Sequence, residues 1–171
     1  MSRLFSPKVI LYLLFLAVLD GAVMPAFRVH SVYPSFLYLL VCYTAFEWGP
    51  RKTVIVAFWV GLIRDLTGGG ILGVEATSLV ALAKALDFLV QKKEREFPGM
   101  YFMITFFFVF FAGILRLLLG CPEELSPHLI WDYLGMIFLA ALYTSAFMPV
   151  FDFVTTRWFG QATTKQYELF R

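Results

Sequence analysis

The sequence predicts an all-α integral membrane protein of six transmembrane helices, and three observations predict it. Of 171 residues, 60% are hydrophobic and 19% aromatic but only 15% charged, with a mean hydropathy of +0.78; a soluble domain carries about 25% charged residues. Apolar runs of near-spanning length occupy almost the whole chain and leave no stretch for a soluble domain. Lysine and arginine are segregated between alternate connections. Function must therefore be built within the bilayer or by contact with other proteins.

The first predicted span covers residues 8–27, long enough at 1.5 Å per residue to cross a hydrocarbon core of roughly 30 Å. It exceeds the apolar core of a signal peptide, and Asp20, Pro25 and Arg28 stand where small cleavage-site residues would be needed, so it is read as a retained helix. A very short turn leads to the second span, 32–48, with Pro34 in its first turn, where a missing N–H costs little. Gly49-Pro50-Arg51-Lys52 breaks the run before a short third span, 53–66. The fourth, 75–90, is also short, and QKKEREFPG makes a charged turn. The fifth span, 98–119, holds the aromatic run FMITFFFVFF, read as lipid-facing or packing surface; the connection CPEELSPH follows. The sixth, 130–153, is long enough to tilt, with a kink expected at Pro149. All six spans form a single transmembrane domain.

Six spans put both termini on one side, together with Arg3, Lys8, Arg51, Lys52, Lys92, Lys93, Arg95, Arg157, Lys165 and Arg171. The other side has only Arg28 and Arg64, with Arg116 about one turn inside. The positive-inside bias makes both termini cytoplasmic. The net charge of +2 carries no nucleic-acid inference, and anionic lipid sufficiently explains the basic inner face.

The chain is organised around residues 60–77, VGLIRDLTGGGILGVEAT. Arg64 and Asp65 end one apolar run, Gly68, Gly69, Gly70 and Gly73 form a hairpin, and Glu75 opens the next run. Antiparallel spans place Asp20, Arg64, Asp65, Glu75, Arg116 and Asp132 together in the outer half; Lys84 and Asp87, deeper, lie within reach of each other on one helix face. A mid-bilayer charge costs about 2.5–3.5 kcal/mol on insertion scales, so these residues should face the bundle and pair. One reading is structural, with ion pairs that fix helix register; the other is a site where a partner's helix or a lipid head group docks. Short, glycine-interrupted spans point to the second, whereas the glycines alone are also explained by a tight turn needing positive φ. Gly61, one helical turn before Asp65, would let a neighbouring helix approach that carboxylate. Gly21, Ala17, Ala22 and Ala26 give the first span small-residue faces.

Catalytic and metal patterns are missing from the sequence. His30 and His128 have no companions at ligand spacing, Cys42 and Cys121 form no CxxC, and neither a nucleophile-elbow serine nor a phosphate loop is present. No cofactor and no enzymatic activity are expected.

The segment GLIRDLTGGGILGVEATSLVALAKAL, 61–86, is similar to the central signature of the rod shape-determining protein MreD family, with Gly61, Asp65, Gly69, Leu72 and Gly73 as the best-matching positions. Pro34-Ser35-Phe36-Leu37 resembles that family's second helix, while Glu75 departs from its usual uncharged polar residue. The resemblance implies a non-enzymatic scaffold subunit of the bacterial elongation machinery in the inner membrane. Its implied partners are MreC, RodA with its penicillin-binding protein, and MreB at the cytoplasmic face. The family also resembles the six-helix substrate-binding components of energy-coupling-factor transporters, so a vitamin-type binding component is the alternative.

Overall fold

The computed structural model describes residues 7–27, 32–68, 72–91, 98–119 and 127–159. Seven α-helices and no β-strand occur among the described residues: α1 (Pro7–Val18), α2 (Phe36–Glu47), α3 (Pro50–Gly68), α4 (Val74–Gln91), α5 (Pro98–Leu119), α6 (Pro127–Ala146) and α7 (Met148–Phe159). The helix α1 continues through a wide π-helical turn, Leu19–Val23, and a tight 3-10 turn, Met24–Phe27.

Helix α2 is the hub. Every residue from Leu37 to Phe46 is buried, the signature of a helix enclosed on all sides rather than one with a single apolar stripe. Its Tyr43 rings against Trp48 and Phe151, and Phe36 stacks on Phe151 at 5.9 Å. Around it, α3 packs most extensively on α4 and α5 on α6. The phenylalanine run of α5 serves both expected roles: Phe108 is buried, Phe106 and Phe110 pack on Phe138 of α6, and Phe107 and Phe111 are exposed.

Several helix limits differ from the predicted spans for local reasons. Helix α3 starts three residues earlier than expected because Gly49, at φ +80°, turns the chain and Pro50 then occupies the first helical position, where its ring φ fits and its missing N–H is no loss. Lys52 and Thr53 donate their amides to the Gly49 carbonyl. At 19 and 18 residues, α3 and α4 are longer than the predicted 53–66 and 75–90, and neither is a short helix. Pro34 precedes α2 instead of lying in its first turn; Ser35 holds the extended N-cap conformation there. In place of the predicted last span stand two helices bent by 45° at Phe147. Pro149 explains the break, since it cannot donate to the carbonyl four residues back and its ring clashes with that turn; Phe147 instead donates to Thr144, closing a tighter turn.

Among the described residues one helix, Gly99–Leu119, is long and apolar enough to cross a membrane, and the bent pair Ile130–Ala146 with Met148–Trp158 is so when taken together. Leu11–Val23 and Phe36–Glu47 are apolar but shorter. Helices α3 and α4 carry Arg64 with Asp65 and Glu75, Lys84 and Asp87.

Gly61 decides how closely α3 and α4 approach. A Cβ there would run into the Ala76 Cα, and would sit 2.7 Å from the Ala76 amide nitrogen. These are backbone atoms and cannot swing aside. Gly61→Ala is therefore expected to destabilise the fold by at least the roughly 1–3 kcal/mol of an overpacked core, read as a lower thermal midpoint in detergent. Gly135→Ala, in the interior of α6 with nothing within 4 Å of its Cβ, should hold that midpoint or raise it slightly.

Candidate functional site

Two aspartates each cap a helix that is not their own. The orphan amides of a helix's first turn attract a carboxylate through hydrogen bonding and the helix dipole. Asp65, at the end of α3, accepts the amide protons of Gly73 (3.0 Å) and Ala76 (3.1 Å) on Oδ2 and that of Glu75 (3.0 Å) on Oδ1. Close passage of α4 over Gly61, one turn earlier, brings those amides within reach. Gly73 turns into α4 at φ +96°, the left-handed conformation that favours glycine. Asp20 does the same for α2: Oδ1 accepts the Phe36 amide at 2.7 Å and Oδ2 the Ser35 hydroxyl at 3.1 Å. The π-helical turn around Asp20 holds that carboxylate buried.

Arg64 joins the two caps. Its Nη1 donates to Ser35 Oγ at 2.8 Å and lies 3.6 Å from Asp20 Oδ2, while its Nε is 3.7 Å from Glu75 Oε2 without hydrogen-bond geometry. Its guanidinium carbon stands 4.3 Å over the centre of the Tyr38 ring, a cation–π arrangement that strengthens where water is excluded. Tyr38 donates its hydroxyl to Glu75 Oε2 at 3.1 Å, and Arg116 Nη1 approaches Glu75 Oε1 at 3.2 Å. Glu75 thus sits between two arginines, one 13% exposed and the other half exposed at 51%.

Beside this cluster lies an open cleft of about 410 Å³. The 12 residues of α2 make a helix about 18 Å long, against about 33 Å for the 22 of α5. The wall next to the start of α2 is completed by the extended segment at 32–35 together with side chains of α5 and α6. Arg64 and Arg116 line the cleft; Asp20, Asp65 and Glu75 do not.

Of the residues singled out in the sequence, Asp20, Arg64, Asp65, Gly61, Gly73, Glu75 and Arg116 come together. Asp132 does not: α6 turns Tyr133, Met136 and Ile137 to the cleft and leaves Asp132 exposed, with no ion pair among the described residues. Lys84 and Asp87 share no ion pair; both line a shallow groove between α3 and α4 near Arg51. Gly69, Gly70, His30 and Cys121 lie outside the described residues, as does the His128 side chain. Cys42 is a buried free thiol. Gly21, Ala22 and Ala26 are exposed rather than packed against a helix. No three His, Cys, Asp or Glu side chains converge as a metal site among the described residues.

The sequence reading missed Ser35, Tyr38 and Thr144. Ser35 and Tyr38 are one helical turn apart, a spacing that puts both on one face, and Thr144 accepts the Ser35 amide at 3.3 Å from the far end of the chain. Only the first of these was legible locally.

The model of the rod shape-determining protein MreD family matches residues 1–157, which takes in every helix described above up to the last turn of α7. The chain belongs to the MreD family. Searches of curated proteins and of solved structures give no match. Membership makes this a membrane protein of the cell-shape machinery. The residues 61–86 that carried the resemblance are, in three dimensions, the α3–α4 junction with its cross-helix cap. Three of the five best-matching positions have a geometric role: Gly61 in close approach, Asp65 in the cap and Gly73 in the turn.

These contacts set an order of sensitivities. Asp65→Ala strands three amides and should cost roughly 2 kcal/mol or more, a fall of about 4–8 °C in thermal midpoint for a chain of this size. Asp65→Asn, which keeps an acceptor, should fall between. Arg64→Ala leaves buried Asp20 without its cation and Glu75 with Arg116 alone, and should cost about 3–5 kcal/mol. Arg116→Ala, at a half-exposed pair, should cost about 1 kcal/mol or less. Thermal unfolding of the four variants in one detergent checks the order.

Proposed function

We propose that this protein is a non-enzymatic scaffold subunit of the bacterial cell-elongation complex, held in the inner membrane by six spans with both termini cytoplasmic. Family membership over residues 1–157 carries the reading. Three features support it. Basic residues are concentrated on the connections assigned to the cytoplasm. One helix and the bent pair are long and apolar enough to span, two shorter apolar helices accompany them, and of the charges on α3 and α4, Arg64 and Glu75 are drawn into ion pairs and Asp65 into a helix cap. Carboxylates consumed as helix caps serve rigidity, which suits a part that positions others.

The partners of this reading are MreC, RodA with its penicillin-binding protein, and MreB at the basic cytoplasmic face. The groove of Arg51, Lys84 and Asp87 between α3 and α4 lies on that face in the proposed orientation. A second reading, the solute-binding subunit of a vitamin-type transporter, is favoured by the cleft beside Arg64. It would require an energising ATPase.

Gentle detergent extraction of the tagged protein from its native membrane, followed by mass spectrometry, separates the two. Recovery of MreC with the RodA and penicillin-binding protein pair is expected; recovery of an ATPase pair with a coupling subunit, and of none of those, would overturn the scaffold reading. Topology is checked independently with reporters fused to each terminus. Both should report a cytoplasmic position, and depletion of the protein should convert rods to rounded cells.

A further inference from the structure

The cleft and the charge cluster share a wall, and the wall is polarised. Three carboxylates and two guanidiniums sum to −1, and the N-termini of α2 and α4 restore about half a charge each. The assembly is near neutral in total, but its signs are separated in space. Both guanidiniums line the cleft and all three carboxylates lie behind them. Beside the arginines the wall carries the hydroxyl-bearing side chains Tyr33 and Tyr133, and no carboxylate lines it among the described residues. About 10 Å along α5 from Arg116 the lining is apolar at Val109, and Ile137 and Ala140 of α6 add to it. The volume of about 410 Å³ falls within the usual range for small ligands.

Donors at one end and aliphatic side chains at the other match one ligand class. We propose that this cleft binds a membrane amphiphile with an anionic phosphate headgroup, the phosphate against Arg64 and Arg116 and the first methylenes of the tail along Ile137 and Ala140. Arginine suits the role because its planar fork meets phosphate oxygens bidentately. Arg116 is half exposed, and among the described residues its one ion pair is with Glu75, so it can turn toward a headgroup. Arg64 is fixed by Ser35 and Tyr38 and supplies a preset charge. The electrostatic gain is larger in a medium of low dielectric than in water. A bound phosphate would share the two arginines with Glu75 and tie α3, α4 and α5 together through one anion. The proposal rests on the membrane location of the protein but on none of its partners.

The test uses the full-length purified protein in an uncharged detergent, with binding read by native mass spectrometry. Three probes are compared: dioctanoyl phosphatidylglycerol, dioctanoyl glycerol and inorganic phosphate. Saturable one-to-one binding of the phosphatidylglycerol, tighter than either other probe, is expected. Arg116→Gln should weaken it about tenfold or more, the effect of losing one hydrogen bond to a charged group. Ala140→Phe, which fills the apolar end without touching either arginine, should abolish it while leaving the thermal midpoint of the lipid-free protein within a few degrees. Equal binding of dioctanoyl glycerol would overturn the role of the arginines, and equal binding of inorganic phosphate that of the apolar wall. Unchanged affinity in both variants, or no binding at all, would overturn the site. None of these outcomes touches the co-purification that tests the scaffold reading.

Discussion

The structure depends on one carboxylate. Asp65 stands at the end of α3 and accepts three amide protons from the first turn of α4. An apolar environment makes this arrangement consequential, because neither an uncapped helix start nor a lone carboxylate has water to turn to. Each satisfies the other, and the contact is possible only because Gly61 has no side chain to hold α4 away. Helix pairing, helix capping and charge burial are therefore a single interaction at the α3–α4 junction.

The second cap extends the logic to a network. Asp20 serves the start of α2 as Asp65 serves α4, and Arg64 with Glu75 bridges the two. Four elements distant in sequence are held at one level of the bundle by polar contacts, while α2 is enclosed by aromatic packing lower down. Buried ion pairs seldom add net stability compared with apolar packing, yet removing one member of such a pair is costly. Their value in this protein is register. An α3 displaced by one residue would carry Gly61 away from Ala76 and Asp65 away from its amides, so the sliding of one apolar helix along another is blocked.

Rigidity of this kind accords with membership in a cell-shape family. The charged groups that a sequence reader would assign to catalysis or transport are occupied with one another, apart from the guanidiniums that face the cleft. That division separates the groups that hold the fold from those able to meet something outside it. Arg64 belongs to both sets, which couples whatever occupies the cleft to the junction behind it.

Membrane class, all-helical character and the importance of residues 60–77 were determined by the sequence itself, because hydropathy, helical periodicity and the cost of a charge in an apolar medium are local properties. The close approach at Gly61 and the turn at Gly73 were legible for the same reason. The partner of each charge was not. Asp65 serves amides rather than an arginine, Arg116 reaches Glu75, Asp132 stays outside, and Thr144 reaches Ser35 from the far end of the chain. Helix limits shifted where Gly49, Pro50 and Pro149 set the turns. Only tertiary structure decided these points, since the rotation and depth of each helix follow from packing against all the others, and a shift of one residue turns a side chain by about 100°.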